Sequence, residues 1–193
     1  MIDWGSEDYH PVVDLPDKYT VLDLSDGVWK TPNTMYSIGK YDEFRPGLYN
    51  SEIFKGVRNL HVGIDIGGPV GTPCMAFMEG EISHFGYNPL PGDYGNVVIT
   101  KHKIGKDFFW ALYGHLDSQS IKNKSIGQKI SSGDILGHFG DKNENGGWEP
   151  HLHFQLSIIE PQTHDLPGVV ALEFREQALI DYPDPRFILG DIY

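Results

Sequence analysis

The 193-residue sequence predicts a mostly β fold: an antiparallel sheet core with an irregular N-terminal segment and a short C-terminal helix. Three observations predict it. Glycine (23) and proline (13) are abundant, which favours turns and short strands over long helices. Between about residues 58 and 160, β-branched and aromatic runs alternate with glycine-containing turns. Only residues 169–180 read as a helix, just ahead of the breaks at Pro183 and Pro185.

The elements follow in order. Residues 1–50 are acidic, aromatic and punctuated by proline, and are expected to wrap the main body as short strands and loops. Residues 80–85 read as a strand after a turn. The turn Tyr94-Gly95-Asn96 opens a β-branched run to His102, and residues 108–115 form an aromatic-rich strand. In residues 126–137, glycines separate short apolar pairs, as in the tight turns of a small curled sheet. Residues 151–156 form a last strand candidate. The expected organisation is an extension over residues 1–47 packed on the core, a main domain over 48–160, and a tail over 161–193 carrying the helix.

The bulk composition narrows the function classes. Hydrophobic residues at 39% and charged residues at 22% describe a chain able to bury a core. The net charge of −12, with no basic run, argues against a nucleic-acid partner. No apolar stretch approaches the roughly 20 residues of a membrane span, so no membrane insertion is expected. The N-terminus lacks a basic region followed by an apolar stretch, and on that ground the expected compartment is the cytoplasm. The single cysteine, Cys74, lies in an apolar run and is expected to be a small buried hydrophobe. The sequence says nothing of oligomeric state.

Four of the nine histidines stand in telling contexts. His151 and His153 are two residues apart, so on a strand both project from one face. His61 and Asp65 also share a face if their segment is extended, and the glycines at 63, 67 and 68 argue against a helix there. A His and an Asp met by a second His from another strand make a nitrogen–nitrogen–oxygen site, a set that zinc accepts while keeping a fourth position open. His151 would then lie beside the metal, and His115 arrives from a separate strand end. Neighbouring imidazoles titrate in the right range to move protons during amide hydrolysis.

The order His61-x-x-x-Asp65, Tyr113-Gly114-His115-Leu116, His151-Leu152-His153-Phe154 resembles the LytM and lysostaphin type of zinc peptidase. Residues 60–66, 69–73, 127–130 and 133–137 agree with that likeness, which covers about residues 48–158. The resemblance implies a small antiparallel β fold (barrel-sandwich-like) with a groove over Zn2+, held by His61, Asp65 and His153. It implies that His115 and His151 assist catalysis, His151 as base and His115 as stabiliser of the tetrahedral intermediate. It implies a peptide or muropeptide substrate, commonly a bacterial cell-wall cross-link next to glycine. A finer likeness in residues 144–150, 166–170 and 184–190 is to the peptidase-type domain fused between a phosphotransferase and a class III aminotransferase. That likeness points towards a cytoplasmic amidase or peptidase acting on a small non-wall substrate.

Other readings are weaker. Loss of catalysis, leaving a regulatory module, is disfavoured because all five polar positions are filled. Residues 127–137 resemble turns of biotin- and lipoyl-carrier domains, but no lysine occupies a hairpin tip there. His10, His84, His102, His138 and His164 are expected to be structural or surface residues. Asp93 and Tyr94 form a turn or line the groove, and Trp148 is groove wall or core. Arg58 and Asn59 are expected to orient a ligand from behind.

Overall fold

A computed structural model describes residues 2–193. Among the described residues, thirteen strands are formed in chain order. The first six are β1 (Thr20–Val21), β2 (Ser37–Gly39), β3 (Glu43–Phe44), β4 (Arg58–His61), β5 (Ile64–Gly67) and β6 (Pro73–Met75). The longest are β7 (Gly80–Asn88), β8 (Gly95–Ile104) and β9 (Asp107–Leu116). Then come β10 (Lys129–Ile130), β11 (Ile135–His138), β12 (His151–Ser157) and β13 (Val169–Ala171), followed by helices α1 (Arg175–Asp181) and α2 (Arg186–Leu189).

Eight strands make one open sheet in the order β1-β2-β5-β12-β9-β8-β7-β10. Its pairings are antiparallel except β1 with β2. Two smaller sheets, β13-β4-β3 and β11-β6, pack beside it. The fold is therefore mostly β and largely antiparallel, as the turn-rich sequence predicts.

Alternation explains which residues face which way. On β12, Leu152, Phe154 and Leu156 enter the main core with Ile64 and Ile66 of β5 and Phe109, Ala111 and Tyr113 of β9. The other face of the β8–β9 pair is also covered, by a cluster of Val97, Ile99, Trp110, Leu112, Tyr94 and Leu166. Burial on both faces is why residues 109–115 read as a nearly continuous apolar run. Each such side chain contributes about 1.5–3 kcal/mol on burial, so the centre of the sheet is a rigid platform. Cys74 is fully buried in the same core, and burial pushes its thiol well above the ordinary range.

Both tails are tied down. Val12 and Val13 join the main core, and Met75 donates its backbone N–H to the Val12 carbonyl at 2.8 Å. Trp4 stacks on Phe187 with rings 5.7 Å apart, and the Arg175 guanidinium pairs with the Asp42 carboxylate. Among the described residues, no helix is long and apolar enough to cross a membrane.

One element departs from expectation. Residues 169–171, read from sequence as helix, form β13 instead, with Val169 opposite His61 and Val170 opposite Leu60. The β-branched pair Val169-Val170 prefers the pleated surface offered by β4. The helix proper begins only at Arg175.

His102 lies in the main core between Phe77 and Phe109 and is 1% exposed. It donates Nδ1–H to the Glu79 carbonyl at 2.8 Å, and Nε2 lies 2.7 Å from the Thr100 hydroxyl. Burial pulls its pKa down to about 4. The unfolded chain takes up a proton below the ordinary histidine pKa, near 6.5, while the folded chain resists until about 4. The stabilisation is thus complete above pH 6.5 and lost as pH falls to 4, amounting to roughly 3 kcal/mol. Denaturant titrations across that window are expected to show a shallower pH slope for His102→Gln, which cannot protonate, than for the wild type.

Candidate metal centre

Three side chains from three strands meet at the head of a groove. His61 ends β4, Asp65 lies in β5 and His153 in β12. Asp65 sits opposite His153 in the β5–β12 register, so those two are brought together by ordinary strand pairing. His61 arrives differently. The sequence expectation of one extended segment carrying both His61 and Asp65 on a shared face is replaced by two strands in separate sheets. The chain breaks at Val62-Gly63, and a Cβ on Gly63 would lie 2.4 Å from the His153 ring. Glycine is required there because the imidazole occupies the space a side chain would fill.

The ligand atoms form a tight triangle. His61 Nε2, Asp65 Oδ1 and His153 Nδ1 are each 3.1 Å from the other two. Tetrahedral zinc with bonds of about 2.0–2.2 Å would separate its ligand atoms by about 3.3–3.6 Å. The triangle closes to within a few tenths of an ångström of that value.

The outer partners decide which nitrogens carry protons. His61 Nδ1 lies 2.8 Å from the Lys40 carbonyl, which can only accept, so Nδ1 is the protonated nitrogen. His153 Nε2 lies 3.0 Å from Gln155 Oε1. The orientation of that amide is set because Gln155 Nε2 donates to the Pro167 carbonyl at 3.4 Å. In the neutral rings, His61 Nε2 and His153 Nδ1 are therefore both lone pairs. They face each other and a carboxylate oxygen with no proton between them. Such a convergence of acceptors fits a cation, and the donor set of two imidazoles and a carboxylate suits zinc.

Charge around the triangle is arranged to keep His61 and Asp65 deprotonated. Burial pulls His61 down to about 4, with the Arg45 guanidinium adding to it and Asp65 opposing. Burial pushes the Asp65 carboxyl up, but the adjacent His61 and the Arg45 guanidinium outweigh this and hold it well below the carboxylate range. Arg45, 2% exposed, donates to Asp65 Oδ2 at 2.8 Å, to Glu43 Oε2 at 2.8 Å and to the Tyr49 hydroxyl at 2.8 Å. It occupies one carboxylate oxygen of Asp65 and leaves Oδ1 to the triangle.

Two further histidines flank this centre. The ring of His151, on β12 beside His153, is 4.2 Å from that of His115, and its Nε2 is 3.8 Å from Asp65 Oδ1. His115 adopts φ +64°, an unusual conformation for a side chain other than glycine. It stands at a bulge where β9 carries one residue more than β8, between the pairs Asn96–Leu116 and Val98–Tyr113. A bulge of this kind re-aims a side chain at a strand end, and the left-handed backbone costs about 1–3 kcal/mol. Burial, followed by the nearby His151 and His153 rings, pulls His115 well below the ordinary histidine range. Burial also lowers His151, against the pull of Asp65.

The groove is a cavity of about 900 Å³ lined by His61, Asp65, His115, His151 and His153 together with Tyr94 and Trp148. Trp29, Met35 and Leu48 of the N-terminal segment supply an apolar wall. The structure thus brings together all five residues singled out in the sequence, and places Asp93, Tyr94 and Trp148 on the groove. Arg58 does not touch the centre, since its guanidinium donates to the Val169 and Ile53 carbonyls. The backing role expected of Arg58 and Asn59 falls to Arg45, Lys40 and Gln155. Gln155 was accessible to the alternation rule that pairs His151 with His153. Arg45, twenty residues from Asp65, carries no local signal.

A mostly β chain whose groove converges two imidazoles and a carboxylate, with two more imidazoles alongside, defines a metal-centre class that recurs among hydrolases. The chain belongs to Peptidase family M23, whose sequence profile matches residues 59–165. It is 36% identical over 113 residues to the cell division protein DipM of Caulobacter vibrioides, covering 58% of this chain and 17% of that one. It is 34% identical over 112 residues to the DD-carboxypeptidase/endopeptidase Mpg of Neisseria meningitidis, covering 56% of this chain and 23% of that one. The chain thus spans less than a quarter of the length of either curated relative. A solved catalytic domain, a point mutant of the prophage-encoded M23 protein EnpA from Enterococcus faecalis, is 23% identical, with a TM-score of 0.49 over 83% of this chain and 95% of that one.

Two substitutions probe the centre. Gly63→Ala is expected to displace the His153 ring and abolish stoichiometric zinc uptake, as read by competition with a chromophoric chelator. Arg45→Met is expected to weaken zinc binding by about 10–100-fold, as loss of an outer partner does. It should also cost about 3–5 kcal/mol of stability by leaving buried carboxylates unpaired.

Proposed function

We propose that this chain is a zinc-dependent peptidase, with His61, Asp65 and His153 as the metal ligands and His115 and His151 as the catalytic residues. The observation that carries the reading is the 3.1 Å triangle of His61 Nε2, Asp65 Oδ1 and His153 Nδ1 opening onto a groove beside the His115 and His151 rings. Zinc bound there supplies a Lewis acid that polarises a carbonyl and lowers the pKa of water.

The chain's own residues do the rest. The groove aligns a peptide across the strand ends, with Trp148 and Tyr94 as walls. His151, whose Nε2 lone pair lies nearest Asp65, takes a proton from the attacking water and passes it to the leaving nitrogen. His115 also presents an unprotonated Nε2, because its Nδ1 lies 2.8 Å from the Asn145 carbonyl. It takes the second proton of the attacking water from the hydroxyl of the tetrahedral intermediate, and its Nε2–H then donates to that oxygen until the proton leaves for solvent with the carboxylate product. Burial keeps both rings neutral at pH 7 and ready to accept.

The substrate proposed is a peptide or muropeptide, in a peptidoglycan cross-link or a glycine-containing sequence. The names of the endopeptidase relatives support this choice. A second reading, a cytoplasmic amidase or peptidase on a small non-wall substrate, is favoured by the run Glu144-Asn145-Gly146-Gly147-Trp148-Glu149-Pro150. That run resembles the branch fused to phosphotransferase and aminotransferase domains.

The test is to incubate zinc-loaded protein with defined muropeptides and a glycine-rich peptide and to read the products by mass spectrometry. Amide cleavage is expected, absent in His61→Ala and Asp65→Ala together with their zinc. His151→Ala is expected to keep zinc and lose about 10²–10⁴-fold in kcat. Cleavage that persists in Asp65→Ala would overturn the metallopeptidase reading. Zinc retention without cleavage of either substrate would shift the assignment to the small-substrate reading.

A further inference from the structure

The two flanking histidines are oriented by one loop, residues 140–150. His115 Nδ1 lies 2.8 Å from the Asn145 carbonyl, and His151 Nδ1 lies 2.6 Å from the Glu149 carbonyl. A backbone carbonyl only accepts, so each contact places the proton on Nδ1 and leaves Nε2 as the lone-pair nitrogen. Two rings from different strands thus take the same tautomer from carbonyls four residues apart.

What holds those carbonyls in place is a single amide. Asn145 is fully buried, and its side chain uses all four of its hydrogen-bonding positions. Nδ2 donates to the Gly140 carbonyl at 3.2 Å and the Trp148 carbonyl at 3.0 Å. Oδ1 accepts from the Gly147 N–H at 3.1 Å and the Trp148 N–H at 3.0 Å. The loop is then locked against the start of β8 and the turn before it. Asn96 Nδ2 donates to the Glu144 carbonyl at 3.1 Å, and the Gly92 N–H donates to the Gly146 carbonyl at 2.8 Å. Gly146 has φ +87°, and a Cβ on it would lie 1.8 Å from the Asp93 carbonyl oxygen, so no side chain fits.

We propose that Asn145 is a positioning residue that sets the tautomers of both His115 and His151 by fixing the loop whose carbonyls they address. The proposal rests on the assignment of those two histidines as the proton-transfer groups. Asn145 touches neither a metal ligand nor the groove with its side chain. It acts through the backbone at positions 145 and 149.

The experiment is a long-range 1H–15N correlation spectrum of the histidine rings in the zinc-loaded full chain, with kcat and KM measured on the same samples. In the wild type, His115 and His151 are expected to appear as Nδ1–H tautomers. In Asn145→Ala, at least one of them is expected to become a mixture. His102, whose Nδ1–H points to the Glu79 carbonyl outside the loop, should be unchanged. A loss in kcat of about 10–100-fold with KM changed less than about threefold should accompany the mixture. Asn145→Asp preserves the size of the side chain and its two acceptor contacts, and serves if the alanine variant does not fold. Its lost donors should give the same tautomer mixture.

A wild-type proton on Nε2 of either ring would overturn the proposal. So would a folded variant with both tautomers and kcat intact. The tautomer readout needs no turnover. A wild type inactive on every peptide sinks the peptidase reading alone, and an active wild type with unmoved tautomers in the variants sinks only the role given to Asn145.

Discussion

Three electron-rich atoms held 3.1 Å apart in a buried corner repel one another unless a positive charge lies among them. Everything around the centre maintains that confrontation. The Lys40 carbonyl and Gln155 amide turn the protonated nitrogens of His61 and His153 outward. Arg45 engages the far oxygen of Asp65 and balances its charge together with that of Glu43. Each outer partner keeps an inner lone pair free, and together they bring the ligand set close to the geometry that binds zinc.

The sheet explains how such a strained arrangement is tolerated. β12 lies between β5 and β9, with its apolar residues driven into the main core and His151 and His153 facing the groove. That burial fixes the register in which Asp65 meets His153, since a slip of one residue would expose Leu152, Phe154 and Leu156. The core therefore offsets both the repulsion at the centre and the left-handed backbone at His115. The N-terminal segment takes part as well. It supplies Lys40, Glu43, Arg45 and the apolar side of the groove, so residues before position 48 contribute to the site and do not merely wrap it.

Much of this was legible in the chain. The β-branched and aromatic runs mark β7, β8, β9 and β12 because strand propensity and burial point the same way there. The spacing of His151 and His153 follows from the two-residue period of a strand, and Gln155 follows by the same rule. What escaped depends on contacts between distant segments. No periodicity says that Arg45 will reach Asp65, or that residues 169–171 will pair with β4 and leave the helix to start later. The shared face assumed for His61 and Asp65 failed for a related reason. A glycine in an extended run can mark a crossing between sheets, and only the position of the His153 ring shows that Gly63 does so.

Binding of one divalent cation by His61, Asp65 and His153 can be seen by anomalous diffraction at the zinc absorption edge from a crystal of the zinc-loaded wild-type chain. One strong peak is expected within bonding distance of His61 Nε2, Asp65 Oδ1 and His153 Nδ1. A zinc peak elsewhere, or no peak at this triangle at saturating zinc, would contradict it.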